Sequence, residues 1–241
     1  MEQDVHMKNI WQDRVILSPS LISCCDLCRL ADSVRCLEES GIKSLHVDII
    51  DGHFSPSMPI GLDTVRQLKK RSSLVFDVHV MTSQNDFFVD ELIDIGVEQI
   101  VFHGETETHL DYRLNRIHAA GIRAGIALKP GTSLSTLDYV LDKCDAVLLM
   151  LINPGYAQSK SEGQVTYATR KIKQLHQMIS ERGLSTRVIL DGRISKENLA
   201  SYVPDSLADT FVLGSTCLDK ANLGESIKQI EQFVRSLSKE E

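Results

Sequence analysis

Leu45-His46-Val47-Asp48-Ile49-Ile50-Asp51-Gly52-His53-Phe54 is an apolar run that carries two chemically capable side chains and then breaks at an aspartate–glycine pair. The pattern predicts a buried β-strand that ends in a turn. Side chains two apart on a strand project to the same side, so His46 and Asp48 aim an imidazole and a carboxylate at one point. Two other runs end alike. Leu74-Val75-Phe76-Asp77-Val78-His79 continues into Val80-Met81, and Arg187-Val188-Ile189-Leu190 stops at Asp191-Gly192. His46, Asp48, His79 and Asp191, at the ends of three strands, form a candidate divalent metal site, because mixed imidazole and carboxylate donors suit such ions.

Working outward, apolar β-rich runs at 15–18, 44–48, 74–79, 99–103, 123–128, 146–151, 187–190 and 210–213 alternate with helix-like stretches. Those stretches repeat apolar residues every three or four positions. Leu27, Leu30, Ala31, Val34 and Leu37 make one face; Phe87, Phe88, Leu92 and Ile95 make another; Ile227, Ile230, Phe233, Val234 and Leu237 make a third. Gly41, Gly96, Gly121 and Gly183 stand where a left-handed cap would end a helix. Eight strand–helix units in about 230 residues predict an α/β fold, a closed (β/α)8 TIM barrel. An open doubly wound sheet is the alternative, but no G-x-G-x-x-G follows the first strand to support a dinucleotide-binding version. The barrel also accounts for the chemistry, since all four candidate ligands sit at carboxyl ends of strands, where barrel active sites are built. Residues 1–14 read as an N-terminal extension and 15–241 as a single barrel domain.

With 241 residues, 42% hydrophobic and 24% charged, the chain is ordinary globular material. Its net charge of -7 argues against general nucleic-acid binding. No apolar run approaches the roughly 20 residues that span a bilayer, and the stretch 1–14 lacks an apolar signal core; a cytoplasmic protein is expected. The six cysteines, Cys24, Cys25, Cys28, Cys36, Cys144 and Cys217, show no framework of the secreted type. Cys25-Asp26-Leu27-Cys28 has C-x-x-C spacing, but without a second such pair it reads as small apolar residues rather than half a zinc site.

The chain resembles the ribulose-phosphate 3-epimerases and their hexulose-phosphate relatives over nearly its whole length. The matching segments come in the family's order: Ser18-Pro19-Ser20-Leu21, His46 to Phe54, Asp77-Val78-His79-Val80-Met81, Asn153-Pro154-Gly155-Tyr156, Asp191-Gly192 and Leu213-Gly214-Ser215. The resemblance implies a ribulose-phosphate-binding type of barrel. It implies that His46, Asp48, His79 and Asp191 bind one divalent ion per chain. Zinc is the first choice because it is redox-inert, with iron, manganese or cobalt as alternatives. It also implies that Asp48 and Asp191 move protons, one as base and the other as acid, through a metal-stabilised enediolate. The expected reaction is D-ribulose 5-phosphate to D-xylulose 5-phosphate, a step of the pentose phosphate pathway, in a homo-oligomer. Ser20 would contact a substrate hydroxyl, and His79, Met81 and Met150 would line the pocket. Main-chain donors at Gly192, Gly214 and Ser215 would take the phosphate, as loops after strands seven and eight do in many barrels. Gly155 would open a mobile covering loop. Asp51 reads as a loop-bracing residue, and His103, with Glu105 two residues on, as a support for a ligand.

Three departures from the family pattern fall on the parts that grip the substrate. Arg193 stands where a second glycine is usual, and would either bond phosphate directly or crowd the backbone approach that glycine allows. The covering loop, Asn153-Pro154-Gly155-Tyr156-Ala157-Gln158-Ser159-Lys160, lacks a further glycine pair and is about one residue short. Ile50 replaces a methionine. These changes leave open a six-carbon substrate such as D-allulose 6-phosphate, and a phosphosugar-binding regulator without turnover.

Overall fold

The computed structural model describes residues 10–157, 159 and 161–237. Residues 1–9 of the expected extension, and Gln158 and Lys160 of the covering loop, lie outside the described residues.

The strands are β1 (Ile16–Pro19), β2 (Ser44–Ile50), β3 (Val75–Met81), β4 (Gln99–His103), β5 (Arg123–Leu128), β6 (Ala146–Met150), β7 (Arg187–Asp191) and β8 (Thr210–Leu213). All pair in parallel, in the order β1-β8-β7-β6-β5-β4-β3-β2. A single parallel bridge between Ser20 and His46 closes the ring between β1 and β2. The barrel seam therefore runs through two residues that the sequence had marked for chemistry.

The period-2 pattern divides the core in two. Leu45, Val47 and Ile49 of β2 and Phe76, Val78 and Val80 of β3 point outward into the layer beneath the helices. Val101, Ala127, Leu148, Met150, Ile189 and Val212 pack inside the barrel. Phe76, Phe102 and Phe211 are fully buried in the outer layer, each contributing about 2–3 kcal/mol by removal from water.

The α-helices are α1 (Leu21–Cys24), α2 (Leu30–Glu39), α3 (Leu62–Lys69), α4 (Asn85–Ile95), α5 (Leu110–Ala119), α6 (Ala168–Glu181), α7 (Lys196–Tyr202) and α8 (Leu223–Leu237). Their distribution departs from the expected one-per-strand alternation. Between β5 and β6 stand two 3-10 turns, Leu134–Leu137 and Leu141–Lys143, in place of an α-helix. Ser133 Oγ accepts from Ser135 N there, the local side-chain bonding by which serine competes with helix extension. The first helical face is shorter than expected: Val34 and Leu37 are buried, while Leu27 lies in a preceding 3-10 turn, exposed. On α4 the buried stripe is Val89 and Leu92, with Phe87 outside it. On α8 it is Ile227, Ile230 and Val234, as the spacing predicts. Gly96 closes α4 at φ 78°, in the left-handed region.

Residues 10–13, the described part of the expected extension, pack against the amino-terminal ends of the strands. Ile10 packs on Ile16 and Val75. Arg187 donates to Trp11 O at 2.6 Å and Asp13 O at 2.9 Å, while the Arg123 guanidinium lies 4.5 Å from the Trp11 ring centroid. The opposite, carboxyl end of the strands carries the functional residues. Among the described residues no helix is long and apolar enough to cross a membrane. All six cysteines are free thiols.

Candidate active site

The four side chains expected to converge do so. β2 supplies His46 and Asp48, β3 supplies His79 and β7 ends on Asp191; one potential ligand atom of each lies within 4.8 Å of the others. His46 Nε2 is 3.4 Å from Asp48 Oδ1 and 3.9 Å from Asp191 Oδ2. His79 Nδ1 is 3.5 Å from Asp48 Oδ1 and 3.5 Å from Asp191 Oδ2. Both nitrogens are buried and have no hydrogen-bond partner. Orphaned polar atoms are rare in native interiors; here two of them face the same two carboxylates. Two imidazoles and two carboxylates around such a gap fit a divalent cation, and the cluster could hold one.

The far side of each imidazole is fastened. His46 Nδ1 bonds Asp77 Oδ2 at 2.8 Å, Gln99 Nε2 donates to Asp77 Oδ1 at 2.7 Å, and Arg123 Nε donates to Gln99 Oε1 at 3.2 Å. His79 Nε2 meets His103 Nε2 at 3.0 Å, and His103 Nδ1 bonds Glu105 Oε2 at 2.8 Å. Glu105 Oε1 accepts from Lys129 N at 2.7 Å and also from Thr132 Oγ1. Such partners fix the ring orientation and the tautomer of a ligating histidine.

The imidazoles and carboxylates of the cluster shift one another's protonation. Burial opposes a proton on His46, but the carboxylates of Asp48 and Asp77 outweigh it and raise the pKa well above the ordinary value. Burial pushes Asp48 up, and the imidazoles of His46 and His79 pull it far below the usual carboxylate range. His79 is raised in the same way, against burial, by Asp191 and Asp48. His103 differs: burial lowers it to about 4 and keeps it neutral. A bound cation would compete with protons for two imidazole nitrogens, His46 Nε2 and His79 Nδ1.

A cavity of ≈ 220 Å³ opens above this floor, lined by Ser20, Asp48, Ile50, Met81, Met150, Gly155, Asp191, Gly192, Arg193 and Gly214. Most predicted substrate-side residues therefore share one space. His46 and His79 lie beneath it, fully buried. Ser215 is not among the lining residues and is exposed; Gly214 begins a tight turn, its carbonyl accepting from Cys217 N and Leu218 N. Ser20 Oγ donates to Asp48 Oδ2 at 2.9 Å and accepts from Ser23 N at 3.3 Å, so it both orients the carboxylate and caps α1. Asp51 braces the β2–α3 loop, accepting from His53 N, Phe54 N, Ser83 N and Ser83 Oγ at 2.7–2.8 Å.

Gly192 shows why glycine follows the aspartate. Its φ is 116°, and a Cβ there would stand 2.9 Å from Ile152 N. Arg193 also takes positive φ, 54°, and its Nη2 donates to Ala157 O at 3.1 Å and Ser159 O at 2.6 Å.

Several contributors to the site are not signalled by local sequence pattern. Asp77 shares a strand face with His79, two residues on, yet only the β2–β3 register, with His46 opposite Asp77, assigns it to His46. Gln99, Ser57 and Ile152 carry no such signal, and Leu27, expected on a helix face, lines the cavity instead. A second cavity, ≈ 250 Å³, lies at the opposite mouth against Ile10, Ile16, Lys43 and Glu231, away from the cluster.

Eight parallel strands bearing an imidazole–carboxylate cluster at their carboxyl ends define a (β/α)8 barrel with its site at the usual end. The sequence matches the profile of the Ribulose-phosphate 3 epimerase family over residues 16–218. It is 36% identical over 224 residues to the chloroplastic ribulose-5-phosphate-3-epimerase of Arabidopsis thaliana, covering 92% of this chain and 78% of that one. It is 33% identical to the Synechocystis ribulose-phosphate 3-epimerase, covering 92% and 95%, and 30% identical to that of Escherichia coli, covering 93% and 98%. The chain belongs to the ribulose-phosphate 3 epimerase family, a family of isomerases. Among solved structures, 3-hexulose-6-phosphate synthase from Salmonella typhimurium gives a TM-score of 0.62 at 15% identity, covering 90% of this chain and 98% of that one. Tryptophan synthase subunit alpha from Legionella pneumophila gives 0.61 at 15%, covering 97% and 98%. Likeness at that identity is one of fold.

Proposed function

We propose that this chain is a metal-dependent 3-epimerase of a ketose phosphate, interconverting D-ribulose 5-phosphate and D-xylulose 5-phosphate. The reading is supported above all by one observation: Asp48 and Asp191 converge on two buried, unpartnered imidazole nitrogens at the floor of a cavity. His46, Asp48, His79 and Asp191 would hold one divalent ion, zinc first among the candidates. When bound, that ion supplies Lewis-acid stabilisation of negative charge on the substrate's oxygens.

The chain's own residues do the rest. Epimerisation beside a ketone takes a proton from the third carbon and returns one to the opposite face, through an enediolate of the sugar. Asp48 and Asp191 act as base and acid, always in opposite protonation states, and exchange roles with the direction of reaction. Ser20 holds one oxygen of Asp48 and thereby fixes where the other points. Ile50, Met81 and Met150 present apolar surface that excludes water from the reacting carbons. Gly192, Gly214 and Arg193 line the same cavity and would receive the phosphate.

The test is turnover of ribulose 5-phosphate and allulose 6-phosphate side by side on metal-loaded protein. Faster turnover of the five-carbon sugar supports the reading. Preference for the six-carbon sugar would reassign the substrate and point to Arg193, Ile50 and the short covering loop as its determinants. Saturable binding of both without turnover would contradict an enzymatic role.

A further inference from the structure

His46, Asp77, Gln99 and Arg123 stand on four adjacent strands, β2 to β5, each in register with the next. Their side chains are joined in the same order. His46 Nδ1 meets Asp77 Oδ2 at 2.8 Å, Gln99 Nε2 donates to Asp77 Oδ1 at 2.7 Å, and Arg123 Nε donates to Gln99 Oε1 at 3.2 Å. The first three residues are at most 1% exposed, which shields the row from solvent. An amide by itself fits either way round, so the far end of the row decides its polarity. A guanidinium only donates; Gln99 must therefore turn its oxygen to Arg123 and its NH2 to Asp77. A carboxylate only accepts, so His46 must give Asp77 the proton of Nδ1. The neutral ring then keeps its lone pair on Nε2, the atom that faces Asp48 and Asp191. Arg123 is itself held in place. Its Nη2 donates to Asp145 O at 3.1 Å, its Nη1 lies 3.5 Å from Asp145 Oδ1, and the Trp11 ring centroid is 4.5 Å away.

We propose that Arg123 is a positioning residue for the candidate metal centre: acting through Gln99 and Asp77, it fixes the tautomer and ring orientation in which His46 presents a bare Nε2 to a divalent ion. The inference rests on the metal-dependent reading above. It gives a role to the first residue of β5, three strands away from the ligand it serves. Arg123 does not line the substrate cavity, so its effect reaches His46 along the row and not through the substrate. Without the guanidinium, Gln99 Oε1 loses its donor, the amide is free to turn over, and Asp77 Oδ1 loses a fixed partner. Arg123→Lys is the informative conservative change, because it keeps a group that only donates and so keeps the polarity of the row.

The experiment measures zinc affinity by competition with a chelator, and the His46 ring proton by NMR of zinc-loaded protein carrying isotope-labelled histidine. Circular dichroism of each variant checks the fold. In the wild type, His46 should bind zinc through Nε2 and keep a proton on Nδ1 that exchanges slowly with water. Arg123→Met should bind zinc about tenfold more weakly and exchange that proton faster. Arg123→Lys should recover most of both. Gln99→Met cuts the row in the middle and should cost about tenfold to a hundredfold in affinity. Adding Arg123→Met to Gln99→Met should then cost nothing further, because Arg123 acts only through Gln99. Wild-type affinity and proton exchange in Arg123→Met, or a double variant that loses the sum of the two single effects, would overturn the proposal and leave the metal site standing. Zinc bound to His46 through Nδ1 in the wild type would overturn it without any variant. No zinc binding by the wild type would overturn both the proposal and the metal-dependent reading.

Discussion

His79 Nε2 and His103 Nε2 lie 3.0 Å apart, nitrogen to nitrogen. One must carry the proton and the other must accept it. His79 turns its Nδ1 to the carboxylate cluster, so a ligating role there requires the proton on Nε2. His103 must then accept through Nε2 and carry its own proton on Nδ1, which the Glu105 carboxylate receives at 2.8 Å. The low pKa of His103, about 4 through burial, is consistent with a neutral acceptor.

This chain of tautomers predicts that His103→Leu weakens metal binding about tenfold to a hundredfold. His103→Gln, whose amide oxygen can still accept from His79, should lose less. Competition against a chelator of known affinity measures both. Equal affinity in His103→Leu and wild type would show that His79 needs no support.

Asp48→Asn and Asp191→Asn should each lower turnover by roughly a hundredfold to ten-thousandfold, with circular dichroism unchanged. Either variant turning over like the wild type would defeat the two-carboxylate assignment. Asp48→Asn should also loosen Ser20, which donates to Asp48 Oδ2.

Asp51 yields a pH prediction. Burial alone would raise its carboxyl, but donors from Ser83, Phe54 and His53 hold it at about 2. A carboxyl lowered in the folded state adds stability that is fully present above its unfolded pKa, about 3.9. That stability is lost as pH falls from about 4 towards 2. Solvent screens this largely exposed carboxylate, so Asp51→Asn should be less stable than wild type at pH 7 by no more than about 1 kcal/mol, and the gap should narrow through that window. Urea denaturation at a series of pH values reads it directly; a gap independent of pH would remove the charge from the explanation.

Gly192→Ala should destabilise the fold by roughly 2–3 kcal/mol, through backbone strain at positive φ and close approach. The new Cβ would stand 2.9 Å from Ile152 N. A melting temperature unchanged from the wild type would show that the β6 and β7 ends can move apart freely.

The residues that carry local periodicity were legible in the sequence. His46 and Asp48, two apart on an apolar run, were readable as one face of a strand, and β2 places both towards the cluster. The alternation of strands and helices identified the barrel for the same reason. Pairings that depend on neighbouring strands were not legible. Asp77 reaches His46 through inter-strand register, and Ser20 reaches it through the closing bridge of the barrel. Phe87 misled as a helix-face residue because apolar spacing does not tell which of two adjacent aromatics the helix turns inward. Arg193 was ambiguous because a long side chain after a turn can reach either the ligand or the loop, and only its bonds to Ala157 and Ser159 show one of its partners.

The proposed role of Asp48 and Asp191 is proton transfer at the third carbon of a ketose phosphate. The most direct measurement is NMR of ribulose 5-phosphate incubated in deuterated water with metal-loaded wild type. Deuterium is expected at the third carbon of the xylulose 5-phosphate formed, and none at the first. Incorporation at the first carbon instead, or loss of substrate without exchange at the third, would contradict it.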